Sequence, residues 1–226
     1  MKFRSVLLIC SLFLSCGTLL PGTNFKSMSL SYLALGDSYT IGESVPKEQS
    51  FPYQLVANLK LSGIELAPPE IIATTGWTTG ELSKAIKEKD LAKKYGLVTL
   101  LIGVNNQYRG YSKENYRTEF KELLQTALSF ADKKKSGVIV ISIPDWSVTP
   151  FAQKSGKDTQ EISLQIDTFN AINKEEATKM GIRYVDITPE SRKAATDLTL
   201  LAEDGLHPSG KMYAQWAQQL SLLILK

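Results

Sequence analysis

The chain has 226 residues, a length that suits one domain, since globular domains run to roughly 100 to 200 residues. With 43% hydrophobic and 22% charged residues, its composition excludes a disordered or collagen-like chain. The formal charge is +3, and basic residues alternate with acids along stretches such as "KENYRTEFKELL", so nothing makes an electrostatic case for a nucleic-acid partner.

The N-terminus departs from this pattern. "MKFRSVLLICSLFLSCG" has a basic start, an apolar run from Val6 to Leu14 and then small residues. This is the layout of an export signal, and the run is shorter than the roughly 18 apolar residues of a spanning helix. Residues 1–16 are read as a signal peptide, and its removal with Lys2 and Arg4 lowers the net charge to +1. "LFLSCG" resembles a bacterial lipobox, in which cleavage before Cys16 frees a thiol for lipid attachment and so for membrane anchoring. Phe13 stands where that motif has an aliphatic residue, which leaves ordinary signal-peptidase cleavage a little further on as the alternative and an uncut hydrophobic anchor as the third. Export to the cell envelope, the periplasm or the medium is the expectation. Cys10 and Cys16 are both consumed by this segment, so the folded domain holds no disulfide. Residues 17–29, with "PGTN", read as a polar tether, and residues 30–226 as the folded domain.

Within that domain short apolar runs recur at "LSYLALG", "EIIATTG", "GLVTLLIG", "GVIVISIP" and "GIRYVDIT". They are rich in β-branched and aliphatic residues and most close on Gly or Pro, which predicts five buried strands. Longer amphipathic segments separate or follow them: "FPYQLVANLKL", "TTGELSKAIKEKDLAKK", "SKENYRTEFKELLQTALSFADKK", "TQEISLQIDTFNAINKEEATKM" and "SGKMYAQWAQQLSLLIL". Leu123, Leu124, Ala127, Leu128 and Ala131 recur at helical spacing. Strand and helix in alternation predict an α/β fold: a doubly wound, five-stranded, mostly parallel sheet with helices on both faces, a flavodoxin-like three-layer α/β/α arrangement. In such sheets the site lies outside the carboxyl ends of the strands. Any chemically competent motif should therefore fall just after a strand.

Four segments satisfy that test. "YLALGDSYTIG" places Asp37 and Ser38 past the first strand, where a serine either caps the next helix or raises a reactive hydroxyl at the sheet edge. Gly76 in "IIATTGWTTG" is either a turn glycine or a bare amide that approaches a ligand closely. Gly103, Asn105 and Asn106 follow the third strand, and a carboxamide there is either turn chemistry or a hydrogen-bond donor to an oxyanion. "AEDGLHPSG" holds His207, the chain's single histidine, three residues after Asp204. A turn through Gly205 and Leu206 brings the carboxylate to one imidazole nitrogen and leaves the other facing outward, which fixes the tautomer and supports the imidazolium formed on proton uptake. Pro208 and Ser209 suit the start of the last helix.

Ser, Gly, Asn and Asp-x-x-His at four strand ends in that order resemble the serine hydrolases of the SGNH/GDSL type, over nearly the whole chain from about Tyr32 onward. The resemblance implies an ester hydrolase with Ser38 as nucleophile, His207 as general base and then acid, and Asp204 as the orienting carboxylate. It also implies an oxyanion hole made of the Ser38 and Gly76 amides and the Asn105 side chain. Two residues depart from the family pattern, Asn106 for an Asp and Trp77 for a small or acidic residue, and both bear on cleft shape. Tyr108, Arg109 and Trp146 are the candidate substrate contacts, with Phe151 nearby. No cofactor is expected, and one histidine without a cysteine cluster suggests no metal site. Small or lipid-derived esters and acetylated glycans are the substrates such an exported enzyme would meet. A non-catalytic surface lipoprotein that keeps the fold as a binding module is the rival reading. A nucleotide-binding domain lacks support, since no G-x-G-x-x-G follows the first strand.

Overall fold

The computed structural model describes residues 29–226. The predicted signal peptide, Cys16 and all but the last residue of the predicted tether lie outside that range. Its five strands are β1 (Tyr32–Gly36), β2 (Glu70–Ala73), β3 (Leu97–Leu101), β4 (Val138–Ile141) and β5 (Arg183–Val185), one for each predicted apolar run. The order across the sheet is β2-β1-β3-β4-β5, and every pairing is parallel rather than most of them. Burial explains the composition of the strands. Every residue of β1, β3 and β4 is buried, so these read as unbroken apolar runs, whereas the edge strands β2 and β5 are partly exposed and carry Glu70 and Arg183.

The helices are α1 (Ser38–Ile41), α2 (Phe51–Leu61), α3 (Thr79–Lys89), α4 (Val104–Tyr108), α5 (Lys113–Phe130), α6 (Pro150–Lys154), α7 (Thr159–Met180), α8 (Thr188–Arg192) and α9 (Gly210–Ile224). The five long ones answer the five amphipathic segments. They form two groups, α2 against α9 and α5 against both α3 and α7, as right-handed crossovers on a sheet wound in both directions require. Within α7 the apolar positions Ile162, Ile166, Phe169 and Ile172 are all buried. Within α5 Leu123, Leu124 and Ala127 are buried and Leu128 is only half so. Each fully buried leucine of the core contributes about 1.5 to 3 kcal/mol.

Helix ends differ from the sequence expectation, and local backbone explains why. The helix expected over residues 78–94 stops at Lys89 because Asp90 turns into the left-handed region, and the one expected to run on to 134 stops at Phe130, ahead of Asp132 and Lys133 in the same conformation. The four- and five-residue helices α1, α4, α6 and α8 fall below the length at which periodicity is readable.

The functional consequence of the strand order is local. The chain leaves β1 toward β2 on one side and reaches β3 on the other, so a crevice opens at the carboxyl ends of β1 and β3. Gly36 closes β1 there, and a Cβ on it would collide with Thr40 Oγ1 and with the carbonyl oxygen of Leu101. Only glycine lets the turn that leads to Ser38 lie this close to the neighbouring strand.

Candidate active site

Ser38 is the first residue of α1, directly past β1. Asp37 caps that helix, its Oδ1 accepting from the Tyr39 amide at 3.1 Å. The cap carries a cost, because Asp37 is fully buried and its Oδ2 has no hydrogen-bond partner among the described residues. Burial pushes the Asp37 carboxyl up to about 7, against the opposing pull of backbone amides.

His207 arrives from the far end of the chain. Its loop is drawn into a tight turn by the Ala202 amide on the His207 carbonyl at 2.8 Å and by a bridge between Leu201 and Pro208. Inside the turn Asp204 Oδ1 accepts from the amides of Leu206 and His207, both at 2.9 Å. Its Oδ2 meets His207 Nδ1 at 2.6 Å. The opposite nitrogen, Nε2, lies 3.1 Å from Ser38 Oγ. Hydroxyl, imidazole and carboxylate thus stand in line across residues 169 positions apart. Partial burial pushes the Asp204 carboxyl up, but the hydrogen bonds from Ser44, His207 and the two amides outweigh it and bring it down to about 2. Asp204 is therefore an anion at neutral pH, as an orienting acceptor must be.

Gly76 comes from the loop after β2 and Asn105 from α4, after β3. With Ser38 they line one cavity of about 210 Å³. Gly76 adopts φ 83°, a left-handed conformation open to glycine. Its loop is tied down at successive residues: Thr75 Oγ1 donates to Glu43, the Gly76 carbonyl accepts from Arg109 Nη2 at 2.6 Å, and the Trp77 carbonyl accepts from Asn105 Nδ2 at 3.0 Å. A carboxamide carries two N–H donors. One is spent on Trp77, and Asn105 has a second for the cavity whose wall it forms.

Tyr108 and Trp146 line the same cavity, as do Phe151, Val104 and Leu206, which makes the wall mostly apolar. Trp146 sits 5.5 Å from Tyr108 and 6.0 Å from Phe151 between ring centres, and its Nε1 donates to Gln107 Oε1 at 2.9 Å. Behind it, buried Asp145 is bound by Arg192 Nε at 2.9 Å, the Ser163 hydroxyl at 2.7 Å and the Ser147 amide at 2.9 Å. Burial raises the Asp145 carboxyl, and these donors more than offset it, so the group stays below its usual range. The aromatic wall is therefore pinned to α7 and α8.

Arg109 is placed differently from Tyr108 and Trp146. It stands outside the cavity wall, with Nη2 on the Gly76 carbonyl and Nη1 3.2 Å from Glu81 Oε2. Glu81 in turn completes the capping box of α3 with Thr78. Arg109 thus braces the Gly76 loop. Asn106 is buried and engaged with Thr79, accepting from its amide at 3.0 Å and donating to its hydroxyl at 2.7 Å, so it joins α4 to the start of α3. Trp77 is half-buried against the core, and neither it nor Asn106 lines the cavity. Sequence reasoning missed Tyr39, Thr75, Val104 and Leu206 in the wall, and also Ser44. Tyr39, Thr75, Val104 and Leu206 all adjoin residues that were singled out, whereas Ser44 lies outside every segment that carried a signal. Among the described residues no group of three or more His, Cys, Asp or Glu side chains is placed to hold a metal ion.

Comparison with known proteins agrees with this architecture. Similar solved structures include TesA (15% identity, TM-score 0.66), which matches over 86% of this chain and 97% of its own. A lipase/acylhydrolase from Enterococcus faecalis (18% identity, TM-score 0.64) matches over 86% of this chain and 94% of its own. Axe2, an acetylxylan esterase from Geobacillus stearothermophilus (18% identity, TM-score 0.65), has the same coverage, 86% and 94%. At these identities the likeness establishes a shared fold. No curated protein matches the chain by sequence. The sequence model of one family, described as GDSL-like Lipase/Acylhydrolase, matches residues 34–215, a span that takes in Ser38, Gly76, Asn105, Asp204 and His207. The chain belongs to the GDSL-like lipase/acylhydrolase family.

Proposed function

We propose that the protein hydrolyses carboxylic esters through an acyl-enzyme on Ser38. The observation that carries this reading is the run of contacts from Ser38 Oγ to His207 Nε2 at 3.1 Å and from His207 Nδ1 to Asp204 at 2.6 Å, opening on a single apolar cavity. Ser38 Oγ attacks the ester carbonyl as His207 Nε2 takes its proton, and the anionic Asp204 stabilises the imidazolium. The negative charge on the carbonyl oxygen is met by the amides of Ser38 and Gly76 and by the Asn105 carboxamide. His207 then returns the proton to the departing alcohol. Water, deprotonated by the same imidazole, releases the acid from Ser38.

The apolar wall of Tyr108, Trp146 and Phe151 favours small or lipid-derived esters, and aromatic rings equally suit an acetylated sugar. One structural relative, Axe2, is an acetylxylan esterase. Export, with lipid attachment at Cys16, rests on the sequence of residues 1–16 alone. Metabolic labelling with a fatty-acid analogue, lost on Cys16→Ser, tests it.

Reaction with a fluorophosphonate followed by peptide mapping tests the hydrolase reading. An adduct on Ser38, absent from Ser38→Ala, supports it. A folded protein with no adduct is a binding module instead.

A further inference from the structure

Asp204 is held by more than His207. The Ser44 hydroxyl donates to Asp204 Oδ2 at 2.6 Å, on the same oxygen that meets His207 Nδ1, while the other oxygen takes two backbone amides. Ser44 reaches across 160 residues of chain to do so. It lies on the turn that leaves α1, and that turn folds back on the nucleophile: the Glu43 amide donates to the Ser38 carbonyl at 3.1 Å. One short segment therefore holds both ends of the line, the attacking hydroxyl and a donor to the carboxylate.

The backbone gives a second, independent observation. Ser44 sits at φ 64°, in the left-handed region where glycine or asparagine is at ease and a serine is strained. Glycine would relieve the turn but would carry no hydroxyl. Strain kept at a position whose side chain reaches the functional carboxylate indicates what that side chain supplies.

We propose that Ser44 is a positioning residue of the proton relay, its hydroxyl fixing the rotation of Asp204 and drawing off part of its charge so that His207 stays aimed at Ser38. This rests on the ester-hydrolase reading. The Asp204 side chain is 32% exposed, so without Ser44 the vacated lone pair of Oδ2, which still meets His207, is taken by water, which does not hold the carboxylate as still. Two effects follow. Fewer molecules have the imidazole aligned on Ser38, which lowers turnover. The carboxylate also presents more charge to the ring, which favours imidazolium and moves the acid limb of the rate profile to higher pH.

The test uses the full chain and its Ser44→Gly and Ser44→Ala variants, with urea unfolding as the check on folding. Ser44→Gly keeps the turn, so its unfolding midpoint is expected at or above that of the parent. Three readouts follow: the rate of Ser38 phosphonylation by a fluorophosphonate as a function of pH, and kcat and KM on p-nitrophenyl butyrate. Both variants are expected to react about tenfold more slowly, the scale of one charge-assisted hydrogen bond. KM should stay within about twofold and the acid limb should move to higher pH. An unchanged rate and pH profile in a folded Ser44→Gly overturns the assignment of Ser44 alone. No adduct on Ser38 in the unaltered chain overturns the hydrolase reading and the Ser44 assignment with it.

Discussion

Replacing Asp37 with Asn should stabilise the protein in neutral solution and do almost nothing in acid. Asp37 is fully buried next to Ser38 in the chain, one of its oxygens has no partner among the described residues, and burial raises its carboxyl from 3.8 to about 7. The native state therefore keeps a proton that the unfolded chain releases between these two values. In that window the unfolded state binds fewer protons, so the contribution of Asp37 to stability is full below about pH 4 and falls with rising pH, by about 1.4 kcal/mol for each pH unit. Above about pH 7 both states are ionised and the loss is complete, at about 4 kcal/mol. Asn cannot ionise, and its carbonyl oxygen can still accept from the Tyr39 amide and cap α1. The difference between variant and parent cancels every other titrating group. Urea unfolding at about pH 4 and about pH 8 reads it directly: midpoints should coincide in acid, and the variant should gain about 1 to 2 M at the higher pH. A difference that is the same at both pH values would mean that Asp37 is already ionised or partnered in the folded state, and the argument from its buried, unpaired oxygen would fall.

Two further substitutions separate roles at the site. Asn105→Ala removes the proposed oxyanion donor and should lower kcat by about 10² to 10³, while the lost bond to the Trp77 carbonyl costs about 1 kcal/mol of stability; a folded variant with full turnover on p-nitrophenyl butyrate removes Asn105 from the oxyanion hole. Arg109→Ala frees the Gly76 carbonyl and should lower kcat by about tenfold at nearly constant KM, because misplacing a donor loop costs rate. If KM rises instead and kcat holds, the guanidinium touches the substrate.

Much of the architecture was legible in the sequence because its signals are local. Burial on both faces makes a central parallel strand an apolar run, and burial of one face gives a long helix a stripe of 3.6-residue period, so the strands and the five long helices could be read in order. Helix ends at Lys89 and Phe130 could not, since they depend on residues entering the left-handed region rather than on periodicity. The turn from Asp204 to His207 was also readable, because three residues can close on themselves without help from the rest of the chain. The types of residue at the strand ends and their order were set at this level.

What only the tertiary structure decided is which of these segments meet. The order β2-β1-β3-β4-β5 opens a crevice beside β1, and the packing of α9 on α2 carries the loop before it to Ser38. Arg109 adjoins a cavity residue in sequence, yet its reach takes it to a carbonyl 33 residues away and out of the cavity wall. Ser44 has no motif to mark it, and its contact with Asp204 exists only once the two ends of the domain are brought together. Propensity and periodicity report a residue's neighbours along the chain; hydrogen bonds between distant segments depend on distances that folding alone creates.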